Sequence, residues 1–174
     1  VRSMSLIGQE RKDYATSVLE KEGLDVSFGR HIDECDEFNS SSIHSRVEDL
    51  HDAFLDKSVD AILTVIGGYN ANQLLEYIDY DLIRKNPKIL CGYSDVTVLN
   101  NAILAKTGLI TYSGPHFSSF SMEKGFGYTL EHFRRCFFLE DEYEVSISEQ
   151  WSDDAWYLDQ ENRCFIDNSG PIIF

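Results

Sequence analysis

The sequence has no long hydrophobic run, no closely paired cysteines and little positive charge. Its longest apolar stretch falls short of the roughly 18 residues that a membrane-spanning helix needs, and its first residues lack the basic and then apolar pattern of a secretion signal. Thirty acidic residues against 15 basic ones give a formal net charge of −15, which repels a nucleic-acid backbone. We therefore expect a soluble, cytoplasmic protein that binds neither membranes nor nucleic acids.

The four cysteines are too scattered to suggest a metal site. No CxxC pair occurs and the spacings match no metal-ligand signature, so no metal or other cofactor is expected. Cys91 lies in an apolar run and Cys136 stands beside two phenylalanines, so both are predicted to be buried free thiols. Free thiols agree with a reducing compartment.

Hydrophobic residues make up 43% of the chain, enough for a folded core, and their spacing predicts several helices. Apolar side chains recur every three or four residues where one face of a helix is buried. The predicted helices cover residues 9–22, 43–56, 96–106 and 126–138. A further helical pattern begins near Asn70.

Three apolar runs rich in β-branched residues predict strands that are buried on both faces, as in a parallel sheet. They cover residues 59–66, 88–91 and 109–112. Their alternation with helices favours an α/β fold with a doubly wound, mostly parallel sheet of the Rossmann or flavodoxin kind and helices on both faces. A shorter run at residues 24–28 has no visible partner strand, so the first strand of the sheet is expected to be missing.

The sequence pattern changes after about residue 140. Residues 143–147 are compatible with a strand, but the polar and aromatic stretch at 151–157 has no clear period. We predict an α/β domain at residues 1–141, a connecting segment at 142–170, and the start of a further element, cut short, at 171–174.

Each of the three predicted central strands ends at a turn with glycine, at the sheet edge where ligands of such folds bind. These turns are Gly67-Gly68, Gly92-Tyr93-Ser94-Asp95 and Ser113-Gly114. Ser94 lies between a strand and a helix with almost no linker, which is the geometry of an activated nucleophile. The amide of Asp95 would then be one oxyanion donor, and the Gly67-Gly68 turn is well situated to supply a second.

Other interpretations fit the same turns. A serine before a helix is often only a cap, and helix N-termini also bind phosphate, although neither GxGxxG nor GxxxxGK[ST] occurs. A non-catalytic module or inactive fragment that holds an anionic or nucleotide-like ligand is therefore the alternative. Among the five histidines, only His116 follows a strand end beside Ser94, and it looks like a loop residue, so no internal catalytic triad is complete.

Four segments resemble the LD-carboxypeptidase family of serine peptidases, most closely its branch of microcin C self-immunity peptidases. They read Thr64-Val-Ile-Gly-Gly-Tyr-Asn-Ala-Asn72, Tyr77-Ile-Asp-Tyr-Asp81, Asn86-Pro-Lys-Ile-Leu-Cys-Gly-Tyr-Ser-Asp95 and Ala105-Lys-Thr-Gly108. The resemblance extends over most of the chain, from about residue 2 to Phe174, and the order and spacing of these segments make it more specific than the serine turn alone.

The resemblance implies that Ser94 is the nucleophile, that the amides of Gly68 and Asp95 form the oxyanion hole, and that hydrolysis runs through an acyl-enzyme. Trp156 resembles a loop aromatic that stacks on a nucleobase, with plain packing as the alternative. Substrate binding is assigned to the following set: Gly67, Asn70, Ser113 and Trp156.

The family has two substrate classes, and this chain departs from the family in two ways. LD-carboxypeptidases cut a murein tetrapeptide before its terminal D-alanine, whereas the immunity branch cleaves an aminoacyl or peptidyl nucleotide analogue. Family members begin with a strand and a serine-rich turn that this chain lacks. They also continue into a C-terminal domain that supplies a glutamate and a histidine to the triad, so we expect little hydrolysis by this chain alone. Because members are commonly dimers, a homodimer is an expected partner state.

Overall fold

The computed structural model describes residues 6–139 and 142–169. The chain divides into two compact units, residues 1–121 and 122–174, and each is described by itself. The sequence-based division after residue 141 stays a prediction. Within the described residues, no helix combines the length and the apolar character that crossing a bilayer requires.

The first unit alternates helices with short strands. In chain order these are α1 (Gln9–Lys21), α2 (Ile43–Leu55), β1 (Ala61–Leu63), α3 (Tyr80–Lys85), β2 (Ile89–Cys91) and α4 (Thr97–Thr107). Short 3₁₀ helices lie at Ala71–Leu74, Ser94–Val96 and Phe117–Ser121. The helices predicted at 9–22, 43–56 and 96–106 are confirmed, with each end within one residue of its predicted position.

Strands β1 and β2 pair in parallel, with Leu63 opposite Cys91. The pairing continues past the last strand residues, because the Thr64 amide donates to the Cys91 carbonyl over 3.1 Å. The strand predicted at 109–112 is reduced to a single parallel bridge between Cys91 and Tyr112. A mixed α/β fold with parallel pairing and helices is thereby confirmed, with strands shorter than the sequence predicts.

The hydrophobic core of the first unit draws side chains from α2, α3, β2 and α4, and from the segment between β1 and α3 that contains the 3₁₀ helix Ala71–Leu74. Its buried members are Val47, Phe54, Ala71, Leu74, Ile78, Ile83, Leu90, Leu99 and Ile103. The apolar stripe that predicted α2 faces this core, and the Ser42 hydroxyl caps the helix by accepting from the Ser45 amide over 3.0 Å. Burying one large apolar side chain contributes about 1.5–3 kcal/mol. This cluster therefore stabilises the helices and strands that hold the Gly67-Gly68 and Gly92–Asp95 turns.

Two predictions for the first unit are wrong. No strand forms at residues 24–28, and no strand in the described part of the chain runs beside it to complete a ladder. The helical pattern near Asn70 gives only the 3₁₀ helix, followed by α3, which the sequence analysis missed. Asp79 caps α3 by accepting from the Leu82 amide over 2.9 Å, and the helix ends just before Pro87, whose ring disfavours a helical residue ahead of it.

The second unit contains α5 (Gly127–Phe138) and a short antiparallel pair, β3 (Gln150–Trp151) with β4 (Ile166–Asp167). The helix predicted at 126–138 is confirmed. No strand forms at 143–147. Cys136 is exposed, contrary to prediction, because α5 buries Phe133 and the neighbouring phenylalanines do not enclose the thiol. The element predicted at 171–174 lies outside the described residues.

Candidate active site

Ser94 stands on a strained turn between β2 and α4. Its φ is 60°, in the left-handed region that non-glycine residues rarely adopt, while Tyr93 before it is extended. The chain then enters the 3₁₀ helix at once, where the Val96 amide donates to the Tyr93 carbonyl over 3.3 Å. Ser94 is exposed despite being next to the core. The strand–turn–helix elbow predicted from the sequence is therefore present.

Glycine is required at position 92 because neighbouring side chains fill the space around it. A Cβ there would lie 2.1 Å from Thr64 Oγ1 and 3.2 Å from Val96 Cγ1. The buried Asn100 side chain donates to the Gly92 carbonyl over 2.9 Å and to the Tyr112 carbonyl over 3.3 Å. These contacts fix the turn to both sides of β2 and so fix the direction of the Ser94 side chain.

The elbow and the Gly67-Gly68 turn enclose a hollow of about 210 Å³. We call it the Ser94 hollow, and it is lined by Ile66, Gly67, Gly68, Tyr93, Ser94 and His116. A Cβ on Gly67 would lie 3.1 Å from both Cβ and Oγ of Ser94, tighter than ordinary van der Waals contact. Glycine at position 67 therefore lets the main chain approach the serine closely.

His116 is buried against the floor of this hollow, with 2% of its surface exposed. Its Nδ1 lies 2.6 Å from Thr64 Oγ1, and its ring stacks on Tyr93 with centroids 4.3 Å apart. Burial lowers the pKa of His116 to about 4, and a weak contact with the Tyr93 main chain offsets only part of that effect. The sequence analysis located His116 in a loop near Ser94, where it lies, but it gave no signal for its burial or for Thr64 as its partner.

A polar network connects the Gly67-Gly68 turn to the elbow. Asp95 Oδ2 accepts from the amides of Asn70 and Ala71, each over 2.9 Å. From the other side, the buried Arg46 guanidinium donates to the Asn70 carbonyl over 3.2 Å and to Asn70 Oδ1 over 3.1 Å. Burial lowers the pKa of Arg46, and the carboxylates of Asp36 and Asp95 oppose that shift. Sequence reasoning assigned Asp95 only an amide role and missed Arg46.

The other residues assigned from the sequence differ in their surroundings. Gly68 lines the Ser94 hollow, whereas Ser113 is exposed and is not among its lining residues. Asn70 uses its side chain within the protein, since Nδ2 also donates to Ser40 Oγ over 3.2 Å. Trp156 belongs to the second unit, where it is half-buried with its ring 6.0 Å from that of Tyr157. Among the described residues, no group of three or more histidine, cysteine or acidic side chains could hold a metal ion.

Comparison with known proteins gives a family match over most of the first unit. A family model described as the LD-carboxypeptidase N-terminal domain matches residues 2–114. The chain is 34% identical over 173 residues to the microcin C7 self-immunity protein MccF of Escherichia coli, covering 88% of this chain and 49% of that protein. It is 35% identical over 98 residues to the murein tetrapeptide carboxypeptidase of Pseudomonas aeruginosa, covering 56% of this chain and 32% of the relative.

Solved structures of similar proteins have the same fold. The crystal structure of an MccF-like protein from Bacillus anthracis str. Ames superimposes with a TM-score of 0.95 at 58% identity, covering 97% of this chain and 51% of that one. MccF in complex with aspartyl sulfamoyl adenosine gives a TM-score of 0.84 at 32% identity, covering 91% and 50%. The chain spans about half the length of the curated relatives that it matches.

Proposed function

Because the chain belongs to the LD-carboxypeptidase family, we propose that Ser94 is the nucleophile of a serine peptidase that cleaves an amide bond through an acyl-enzyme. The observation that carries the proposal is the exposed Ser94 hydroxyl on a left-handed turn, facing the hollow that Gly67 and Gly68 line. A strained main chain persists where the surrounding structure fixes it, and such residues cluster at active sites.

The proposed reaction has two halves. Ser94 Oγ bonds to the substrate carbonyl carbon while its proton passes to a base, and the carbonyl oxygen becomes an oxyanion held by the amides of Gly68 and Asp95. Collapse of this intermediate breaks the carbon–nitrogen bond, and the amine leaves with the transferred proton. Water then attacks the acyl-enzyme in the same way and releases the acid.

We assign the general base to the glutamate and histidine that the family carries in its C-terminal domain. His116 does not suit this role, because a base works best with a pKa near the operating pH, and the pKa of His116 is lowered to about 4. We therefore expect the 174-residue chain alone to hydrolyse substrate at least 10²-fold more slowly than a protein that contains the whole triad.

Two substrate classes follow from the relatives. MccF is seen with an aminoacyl sulfamoyl nucleoside, and the Pseudomonas relative is named for a murein tetrapeptide. We propose a small peptide or aminoacyl-nucleotide substrate of one of these classes. Substrate binding would also involve the turns that carry Gly67, Asn70 and Ser113. Trp156 would stack on a nucleobase if the substrate is a nucleotide.

We also propose that the parallel pair is the centre of a doubly wound sheet in the full-length protein. Support comes from the connections, since α3 lies between β1 and β2, and α4 lies between β2 and the bridge at Tyr112. Parallel strands need such crossovers, which bring their helices onto the sheet faces.

A Ser94→Ala variant of the full-length protein tests the proposed function. We expect hydrolysis of the murein tetrapeptide or of the aminoacyl sulfamoyl nucleoside to fall by at least about 10³-fold, because the residual rate comes only from binding and the oxyanion donors. The matched control is Ser27→Ala, an exposed serine between α1 and α2, which should keep the wild-type rate.

Labelling with a serine-directed phosphonate gives the second measurement. Mass spectrometry should find the adduct on Ser94 in the wild-type protein and in Ser27→Ala, and nowhere in Ser94→Ala. Wild-type turnover by Ser94→Ala would contradict the assignment. Ligand binding without labelling or turnover would favour the non-catalytic binding module.

A further inference from the structure

The second nitrogen of His116 has no role in the mechanism above. Nε2 is buried, belongs to a residue that lines the Ser94 hollow, and makes no hydrogen bond with any residue in ranges 6–139 and 142–169. The large majority of buried side-chain polar atoms in folded proteins have a partner, so an exception calls for a ligand or a water molecule. Its position beside the proposed nucleophile favours a ligand.

The partner of the other nitrogen decides whether Nε2 carries a proton. Thr64 Oγ1 lies 2.6 Å from His116 Nδ1 and 3.4 Å from the Cys91 carbonyl, which already accepts from the Thr64 amide. The much shorter distance to Nδ1 favours donation of the hydroxyl proton to Nδ1 over the longer hydrogen bond to the Cys91 carbonyl. In a neutral imidazole this leaves the hydrogen on Nε2, which becomes a donor at the hollow.

The surroundings keep the ring neutral and fixed in orientation. His116 is almost completely buried and stacks on Tyr93, and burial holds its pKa well below neutrality. A neutral donor can form a hydrogen bond to a substrate oxygen without giving its proton away during the reaction. This behaviour suits binding and orientation, and it does not suit a general base.

The absence of a side chain at Gly67 keeps the space between the Ser94 hydroxyl and the His116 ring open. The point that a Cβ on Gly67 would occupy is 3.1 Å from Ser94 Oγ and 3.5 Å from His116 Nε2. Because Gly67 has no side chain, a substrate atom beside it can approach the hydroxyl and the imidazole together. An acyl group bound over Ser94 would therefore lie beside the His116 ring as well.

We propose that His116 is a substrate-binding residue whose neutral Nε2–H donates a hydrogen bond to an oxygen of the acyl group that Ser94 attacks. Thr64 is the positioning residue that sets the tautomer. This inference rests on the proposed function, since it requires an acyl group bound over Ser94.

The first test compares His116→Phe, which keeps an aromatic ring against Tyr93 and loses the donor, with His116→Gln, which keeps an N–H at a similar reach. In the full-length protein, we expect His116→Phe to lower kcat/KM and the rate of phosphonate labelling by about tenfold to a hundredfold. His116→Gln should recover at least part of this loss. Equal rates in wild type and His116→Phe would overturn the inference. It would also be overturned if both variants lost kcat/KM in proportion to a lowered melting temperature, because the loss would then come from instability.

The second test changes the tautomer and leaves the ring in place. Thr64→Val removes the hydroxyl that holds Nδ1, and Thr64→Ser keeps it as the matched control. We expect Thr64→Val to lower kcat/KM severalfold, with Thr64→Ser close to wild type. Nitrogen-15 NMR of the imidazole at pH 7 should show the proton on Nε2 in the wild-type protein, and a proton on Nδ1 would overturn the inference whatever the activity.

The two proposals fail in different ways. If wild-type protein is not labelled at Ser94, the proposed function fails. The NMR result then still decides whether His116 carries its proton on Nε2. If Ser94 is labelled but His116→Phe reacts as fast as wild type, the proposed function stands and the inference about His116 is wrong.

Discussion

At the scale of single residues, the main feature is the conformation of Ser94. A residue with a Cβ in the left-handed region is destabilised by about 1–2 kcal/mol relative to its ordinary conformation, and glycine avoids this penalty. The φ of 60° at Ser94 therefore makes the elbow less stable than the same turn with glycine. Serine occupies this position although glycine would adopt the same conformation without strain.

Two substitutions separate the backbone strain from the hydroxyl. Ser94→Ala and Ser94→Gly both remove Oγ, but only glycine relieves the left-handed strain. We expect Ser94→Gly to have a free energy of unfolding about 1 kcal/mol higher than Ser94→Ala, with both inactive. Urea denaturation followed by circular dichroism measures the difference. Equal stabilities would show that the turn relaxes without strain.

The sequence identified the residues of the elbow but not all of their partners. A serine between a buried strand and a helix carries a local pattern, and the resemblance to a known family supported it. Thr64 and Arg46 contact the turns from positions distant in the chain, at His116 and Asn70 respectively. Such contacts depend on tertiary packing, so spacing along the chain could not reveal them.

At the scale of elements, the Asp95 carboxylate connects two parts of the site through hydrogen bonds. Asp95 lies in the 3₁₀ helix that precedes α4, and it binds the chain segment that follows β1 and the Gly67-Gly68 turn. It accepts from the amides of Asn70 and Ala71 and so caps the 3₁₀ helix Ala71–Leu74. This connection holds the Gly67-Gly68 turn at a fixed distance from the elbow. Asp95 thus has a structural role beyond the oxyanion amide that the sequence suggested.

Asp95→Asn tests this connection, and Asp79→Asn is its matched control. Asp79 also caps a helix, accepting from the Leu82 amide at the start of α3, but it belongs to neither the elbow nor the Gly67-Gly68 turn. We expect each variant to lose about 1–2 kcal/mol of stability, because a neutral amide is a weaker acceptor than a carboxylate. Only Asp95→Asn should also lower kcat/KM, by about tenfold or more. A similar kcat/KM in both variants would contradict the positioning role.

Helices were easier to predict than strands for a physical reason. An amphipathic helix such as α2 satisfies its own hydrogen bonds, and its apolar period is visible in the sequence. A strand exists only where a neighbour completes it, which is why residues 24–28 form none and residues 109–112 form a single bridge. The 3₁₀ helix after Asn70 depends on a cap from Asp95, 24 residues away from Ala71.

At the scale of the whole molecule, acid should destabilise the fold through His116. The folded state keeps this histidine neutral down to about pH 4, whereas the unfolded chain binds a proton near the ordinary pKa of 6.5. Between these values unfolding takes up a proton, so the free energy of unfolding falls as the pH drops from 6.5 toward 4 and is restored above 6.5.

His116→Gln removes this contribution without changing the carboxylates that also respond to acid. We expect the wild-type protein to lose more unfolding free energy than His116→Gln between pH 7 and pH 4.5. The difference between the two proteins, wild type minus variant, should therefore be larger at pH 7 than at pH 4.5. Urea denaturation at the two pH values measures it. A gap that does not change with pH would mean that His116 titrates normally in the folded protein.

The left-handed serine also bears on how such a gene would change over generations. If the proposed hydrolysis were no longer needed, a change to glycine at position 94 would be favoured for two reasons, because selection would no longer protect the hydroxyl and the folded protein would gain stability. Descendants that have abandoned the chemistry should therefore carry glycine at this position more often than alanine. An inactive lineage could be recognised from that one codon.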